Sequence, residues 1–372
     1  MRMTFVLPGR GLFGGVRVVA THANKLIERG HEVTLVCLRR RLPRRPGALL
    51  RRAYHEARVA GGLDRDHLHD FKGRLLSARV EDLAKRVPDG DVVVATHWST
   101  AEGVAGLPKC SGAKCYFIQH YEAHTFDAAK VDATWRLPMR KLVVARWLRD
   151  LAAEKFGDST AVVTPNGIDP RQFDAPPRDP HRPPAVGVMY SAAPWKATAV
   201  AFEAVRLARR EIPEIALVCF GAKEPTEALP MPGQTHFHLR PPQDHIRDIY
   251  AGTDVWLCPS ETEGFGLPPL EAMGCRCPVV VTRCGGPMDF VEDDGNGHIV
   301  DVGDAPAMAR YVVAILSDAA LWRRLSDAAY ATRARFSLER SVDRFEQALL
   351  DVHTADTRAN TGTLSEREVT SA

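Results

Sequence analysis

At 372 residues the chain has room for about two domains of ordinary size. Hydrophobic residues make up 45% and charged residues 26%, the balance of a soluble globular protein, and a net charge of +3 does not by itself imply nucleic-acid binding. No run approaches the roughly 18 apolar residues of a membrane span, and residues 1–8 run too soon into a glycine loop to read as a signal peptide, so a cytoplasmic protein is expected.

Met3–Leu7 reads as a strand and Gly9–Gly15 as a loop, after which Val16, Val19, Ala20, Ala23, Leu26 and Ile27 recur at helical spacing. Gly30 stops that helix and Glu32–Leu38 is a second strand. A strand–helix–strand unit of this kind implies a parallel, doubly wound sheet. Gly9, Gly11 and Gly14 formally match G-x-G-x-x-G, but a dinucleotide site needs an acid at the end of the second strand. Arg39 and Arg40 stand there instead, which leaves only an NADP-binding reading resting on one loop. Arginine is dense over 39–45 and at 51–52, where a solvated loop and a face for anionic lipid or an acidic acceptor are both open readings.

Residues 42–90 read as a long loop followed by a helix around Leu75 to Val87. Asp91–Thr96 is a buried strand with His97 at its C-terminal end, where ligands bind in such sheets. His97 is thus either a ligand contact or a structural histidine. Cys115–Gln119 is the next strand, and His120, Glu122 and His124 follow on one loop as contacts for acceptor or donor, with metal binding the less favoured reading. A strand at Lys141–Ala145, a helix over Arg146–Phe156 and a strand at Ala161–Thr164 complete the half.

The proline-rich stretch 170–184 marks a boundary. A second sheet opens with Ala185–Tyr190 and continues through Ile215–Phe220, Val255–Pro259 and Pro278–Thr282. Helices are expected after Lys196 and over Trp322–Phe336 and Leu338–Val352, whereas residues from about Thr354 onward lack a core pattern. The eight cysteines lack the paired spacing of a zinc site, and several lie in apolar strand-like runs as reduced, buried thiols.

The stretch Glu261–Gly274 carries the strongest chemical signal. It follows an apolar strand and leads into helix formers, with Pro268 and Pro269 suited to a first helical turn. Gly264 and Gly266 allow close backbone approach, and the N–H groups of Gly264, Phe265, Gly266 and Leu267 would lie at a helix N-terminus, an anion site. Glu263 and Glu271 bracket these amides, and carboxylates there would accept hydrogen bonds from hydroxyls rather than hold phosphate. A diphosphate flanked by two polyols, a nucleotide sugar, satisfies both demands.

This stretch resembles the E-x7-E motif of retaining GT-B glycosyltransferases of family 4, with Gly285-Gly-Pro and Gly295-Asn-Gly further along. The resemblance implies an α/β protein of two doubly wound Rossmann-like domains facing a central cleft. It implies an N-terminal acceptor domain over 1–168, a donor domain over 185–335, a helix over 336–352 returning to the first domain, and a disordered tail over 353–372. Glu263 would contact the donor-sugar hydroxyls, Glu271 the ribose, and the amides of Gly264, Phe265, Gly266 and Leu267 the diphosphate.

Gly14 and Gly15 resemble the family's Gly-Gly pair that opens the first helix, as donor-diphosphate or acceptor contacts, and Arg17 beside them is a further sugar or acceptor contact. Lys196 matches the family's diphosphate-binding lysine. Its companion arginine is missing, with Arg17 and Arg240 as replacement candidates. His97 falls where family members often place a histidine near the transferred sugar, and Asp289 stands where many have Glu. The catalytic set implied is Glu263, Lys196 and His97, with His120, Glu122 and Asp289 as further sugar or acceptor contacts.

No metal and no resident cofactor are expected, a nucleoside-diphosphate sugar serving as co-substrate. The acceptor is a polysaccharide, a lipid-linked glycan or a small natural product. A bacterial cell-surface glycan is preferred because residues 39–52 could meet an anionic membrane at its inner face. Competing readings are a nucleotide-sugar epimerase of the same fold, an NADP-dependent protein and a non-catalytic binding module.

Overall fold

The computed structural model describes residues 1–11, 14–39 and 66–369, with side chains described as far as residue 358. The chain divides into two compact units. The first comprises Met1–Val144, Leu148–Thr164 and Val342–Ala372, and the second Ala145–Trp147 and Pro165–Ser341.

The first unit is built on strands β1 (Arg2–Leu7), β2 (Glu32–Leu38), β3 (Arg74–Ala78), β4 (Val92–Ala95), β5 (Ala113–Ile118), β6 (Arg140–Val143) and β7 (Val162–Val163). All are parallel, in the order β3-β2-β1-β4-β5-β6-β7. β4 is buried along its whole length, which is why it reads as an uninterrupted apolar run rather than an alternating one. The strand order reverses between β1 and β4, the kind of point at which open parallel sheets bind ligands.

Helix Gly14–Glu28 links β1 to β2, and Gly30 ends it at φ +88°, a conformation natural to glycine. Val342–Ala372 is part of this unit: Phe345 packs against Phe117, with ring centroids 4.8 Å apart, and against Phe5 at 6.0 Å. Arg29 Nη2 donates to Asp343 at 2.7 Å and His31 Nε2 to Glu346 at 2.6 Å. His22 is buried within this cluster, and burial pushes its imidazole pKa down to about 4, against a smaller upward pull from the Val18 carbonyl.

The second unit is built on β8 (Ala185–Met189), β9 (Ala216–Gly221), β10 (Thr235–Leu239), β11 (Val255–Cys258), β12 (Val279–Thr282) and β13 (His298–Val300). These too are parallel, in the order β10-β9-β8-β11-β12-β13, with the reversal between β8 and β11. Val186, Val188, Leu217, Val255, Leu257 and Val280 pack under helices Thr198–Ala208 and Ala305–Ser317.

Several expectations change. Arg74–Ala78 is an edge strand, not the start of a helix. The apolar spacing of 75–87 fits both, but a Cβ on Gly73 would meet the Ile27 side chain at 2.9 Å, so the chain there lies hard against its neighbours. Helix survives only over Leu83–Arg86, after a short 3-10 turn.

The proline-rich stretch belongs to the second unit rather than being a loose linker. Buried Asp254 accepts from Arg178 Nη1 (2.8 Å), His181 N (2.9 Å), His181 Nδ1 (2.8 Å) and Ala185 N (2.8 Å). The final helix runs from Leu338 to Val369, where disorder was expected after residue 352. Low hydrophobicity removes a core contact but not helix propensity, and Ala, Arg, Leu and Glu are all helix formers. The basic run over 40–52 lies outside the described residues, as do Leu12 and Phe13 of the first glycine loop.

All eight cysteines are free thiols, seven of them buried. No described helix is long and apolar enough to cross a membrane.

Candidate active site

In the second unit the loop after β11 runs through Glu263 to helix Leu267–Gly274. Gly266 has φ +88°, and a Cβ there would lie 2.8 Å from Pro287, so this position requires glycine both for its conformation and for space. The loop is held by the turn after β12: Glu263 N donates to Cys284 O at 2.7 Å, and Gly286 N to Glu263 O at 3.0 Å. Trp147 Nε1 donates to Gly264 O at 3.0 Å. The amides of Gly264, Phe265, Gly266 and Leu267 precede the first intrahelical hydrogen bond, so the helix supplies them no acceptor.

Glu263 is only 7% exposed, and its Oε1 accepts from both Lys196 Nζ (2.6 Å) and Ser260 Oγ (2.7 Å). Lys196 comes from the turn Pro194–Lys196 that follows β8, and Glu261 N donates to Trp195 O at 2.8 Å to seat that turn beside the β11 loop. The strand reversal thereby brings two residues 67 positions apart into an ion pair. Burial lowers the Lys196 pKa, but the Glu263 carboxylate more than offsets it, and the net shift is upward. The ammonium is therefore firmly charged at neutral pH. It has three N–H donors, of which Glu263 takes one.

Glu271 is 3% exposed in helix Leu267–Gly274, and its Oε2 accepts from the buried Tyr250 hydroxyl at 2.9 Å. Tyr250 is itself fixed by an edge-on contact with Trp256, with ring centroids 4.6 Å apart. Tyr250 and Ser260 were not anticipated from the sequence. Ser260 could have been noticed three positions before Glu263, whereas nothing in the chain marks Tyr250 as a partner of Glu271.

Asp289 pairs with Arg146. It accepts from Arg146 N (2.9 Å) and Nε (3.0 Å), all within the second unit. Arg240, at the end of edge strand β10, is exposed and donates through Nε to Ala222 O at 3.0 Å. β9 separates its strand from β8, so it does not join the Lys196 group.

In the first unit the expected residues form a second group. Gly14 and Gly15 open the first helix, with Arg17 part-buried on it. A Cβ on Gly15 would lie 3.1 Å from Gln119 Nε2, which itself donates to Gly15 O at 3.2 Å, whereas one on Gly14 would meet nothing within 4 Å. His97 caps helix Trp98–Ala105 by accepting from Ser99 N at Nδ1 (3.2 Å). With Nδ1 accepting, Nε2 carries the proton and donates to Glu122 Oε1 at 2.9 Å. Glu122 Oε2 also accepts from Trp98 N at 3.3 Å.

Both ring nitrogens of His97 are thus occupied within the chain. The histidine caps its helix and holds the Glu122 carboxylate. Trp98 and Phe126 pack beside it, with ring centroids 5.4 Å apart and Phe126 44% exposed. The His120 ring lies 4.7 Å from that of His124. Among the described residues no three His, Cys, Asp or Glu side chains converge into a metal-binding group.

Residues 13–172 match the family model described as Glycosyltransferase Family 4, and residues 171–332 match Glycosyl transferases group 1. The chain is similar to the N-acetyl-alpha-D-glucosaminyl L-malate synthase of Bacillus anthracis, 33% identical over 30% of this chain and 29% of that protein. It is also similar to the lipopolysaccharide core biosynthesis glycosyltransferase LpsE of Rhizobium meliloti, 38% identical over 29% of this chain and 32% of that one. These matches span less than a third of either relative's length. Among solved structures, Anabaena Alr3699/HepE in complex with UDP and glucose superposes with a TM-score of 0.72. That match is 16% identical and covers 94% of this chain and all of that one, a likeness of fold.

Proposed function

We propose, because this chain belongs to the GT-B glycosyltransferases of family 4, that it transfers a sugar from a nucleoside-diphosphate donor to a hydroxyl acceptor with retention of anomeric configuration. The observation that carries this reading is the arrangement on one loop and helix of the second unit. Buried Glu263 is paired to Lys196, the amides of Gly264 to Leu267 follow, and Glu271 is held by Tyr250.

Each group suits one part of such a donor. The amides and the Lys196 ammonium offset the charge that grows on the diphosphate as the glycosidic bond breaks. Glu263 and Glu271 accept hydrogen bonds from hydroxyls of the sugar and the ribose. Lys196 and Ser260 share Glu263 Oε1, so that oxygen is tied up as a hydrogen-bond acceptor rather than free for covalent attack. The retaining route proposed is therefore attack on the face from which the diphosphate leaves, with a phosphate oxygen taking the acceptor's proton.

No resident metal is proposed, the lysine and the amides supplying the positive potential. Transfer in the presence of EDTA should match the untreated rate, and a rate restored only by a divalent ion would refute this part. The acceptor proposed is a bacterial cell-surface glycan or glycoconjugate, in line with the relative named for lipopolysaccharide core biosynthesis.

Thermal unfolding against UDP, GDP, dTDP and ADP, with NADP alongside, tests the donor site. UDP comes first because the Anabaena structure was solved with it. A ligand at 100 times its Kd stabilises the native state by about 2.7 kcal/mol, a shift of a few degrees. Stabilisation by one nucleoside diphosphate and not by NADP is expected. Stabilisation by NADP alone would overturn the reading.

A further inference from the structure

The C-terminal ends of three neighbouring strands in the first unit are each followed by an arginine. Arg10 comes shortly after β1, Arg39 directly after β2 and Arg79 directly after β3. Leu38 and Ala78 stand in register, and Arg39 N donates to Ala78 O at 2.7 Å, so the last two arginines start from adjacent points on the sheet edge. Their charges are treated differently. Arg10 is neutralised by Asp66, Nε to Oδ2 2.6 Å, and that carboxylate is buried. Arg39 and Arg79 are exposed, and among the described residues neither forms an ion pair. Both line a cavity of 450 Å³, together with Arg86 from the short helix beyond β3 and with Ser77 and Asp82.

Three guanidiniums around one carboxylate leave the cavity wall with a net excess of two positive charges. Elsewhere on this chain exposed arginines commonly meet an acid: Arg206 meets Glu203, Arg323 meets Asp179 and Arg335 meets Glu292. Guanidiniums bind carboxylate and phosphate through paired N–H donors. Ligands in parallel sheets bind beyond the carboxyl ends of the strands.

We infer that the cavity at the ends of β2 and β3 is an anion site, in which Arg39, Arg79 and Arg86 hold a phosphate or carboxylate of the acceptor. This rests on the glycosyltransferase reading for the word acceptor, but the anion site itself does not depend on it. A neutral sugar would leave the guanidiniums uncompensated. An acceptor that carries a charged group would be anchored by that group, and its hydroxyl would be placed by the anchor.

The test uses the full chain with the donor site filled. Wild type and the triple variant Arg39→Gln/Arg79→Gln/Arg86→Gln are saturated with UDP, then titrated calorimetrically with inorganic phosphate at constant ionic strength. Because all three side chains are exposed, the variant should fold and keep its UDP-induced thermal shift. Wild type should bind phosphate on top of UDP, and the variant at least tenfold more weakly.

Vesicles distinguish the sources of the anion. Co-sedimentation with phosphatidylglycerol but not phosphatidylcholine vesicles, lost in the variant, supports the site with a lipid headgroup as ligand. Phosphate binding without co-sedimentation supports a soluble anionic acceptor. Equal phosphate titrations and equal sedimentation for wild type and variant would overturn the proposal. Absence of any UDP shift in wild type would count against the glycosyltransferase reading instead, and phosphate titration of the UDP-free protein would still decide the anion site.

Discussion

Both units place polar side chains beyond the C-terminal ends of their parallel strands and surround them differently. In the second unit Glu263 and Glu271 are buried, and each is held by a partner from a distant stretch of chain, Lys196 or Tyr250. In the first unit His97 and Glu122 are part-exposed, Phe126 stands out in solvent, and Arg39, Arg79 and Arg86 are exposed. Burial strengthens each charge interaction and fixes its geometry in advance, which suits a ligand whose diphosphate and ribose never vary. Exposed, loosely held groups can be exchanged without unfolding a core, which suits the proposed acceptor side.

Breaking the buried pair should sharpen this contrast most. Glu263→Ala removes the proposed donor-sugar contact and leaves the Lys196 ammonium without its carboxylate, so transfer should fall by at least about a thousandfold. Stability should fall by about 1–3 kcal/mol. Lys196→Ala should resemble it, and the double variant should lose much less than the sum of the two, because the residues share one interaction. Additive losses in chemical denaturation would refute the coupling. By contrast Glu122→Gln in the first unit should alter acceptor KM more than stability, measured at saturating donor.

A second contrast is pH. His22 in the first unit has its folded-state pKa depressed to about 4 by burial, below the ordinary 6.5. A depressed value means that the unfolded chain takes the proton first. The stability this group contributes is therefore present above about pH 6.5 and lost as pH falls toward 4. From pH 7 to pH 5 that loss is about 2 kcal/mol. His22→Phe, which keeps an aromatic ring beside Phe117 and Phe345, should flatten the dependence of urea unfolding between these two pH values. An unchanged slope would place the imidazole's titration elsewhere.

Smaller effects probe single hydrogen bonds and close approaches. Tyr250→Phe deletes the hydroxyl that orients Glu271 and should raise the donor KM about fivefold with kcat nearly unchanged, since one buried hydrogen bond contributes about 1 kcal/mol. An unaltered KM would show that Glu271 needs no orienting partner. Gly15→Ala would press on the Gln119 amide, whereas Gly14→Ala has open space. Gly14→Ala should change thermal stability by less than about 1 kcal/mol, and Gly15→Ala should be the more destabilising of the two. Equal melting temperatures would mean that Gln119 simply swings aside.

Legibility in the sequence followed burial. β4, β11 and β12 are covered on both faces, so Val92–Ala95, Val255–Cys258 and Val279–Thr282 stand out as apolar runs. The edge strands β3 and β10 are half-covered, and Thr235–Leu239 alternates histidine with apolar residues in a way that announces nothing. The proline-rich stretch reads as a boundary because composition cannot reveal that Asp254, some 70 positions on, will accept three of its hydrogen bonds.

Two parallel α/β units and a strand–glycine loop–helix with Glu263 and Glu271 flanking a run of backbone amides are legible in the chain alone, because these depend on local apolar pattern and turn chemistry. What those carboxylates touch follows from the packing of distant segments. The reversal of strand order between β8 and β11 sets Lys196 on Glu263, a neighbouring helix brings Tyr250 to Glu271, and the ends of β4 and β5 join His97 to Glu122. The turn after β12 likewise sets Asp289 on Arg146, 143 positions earlier. Hydrogen bonds between residues tens of positions apart leave no periodic trace in a chain; they exist only once the strand order has been chosen.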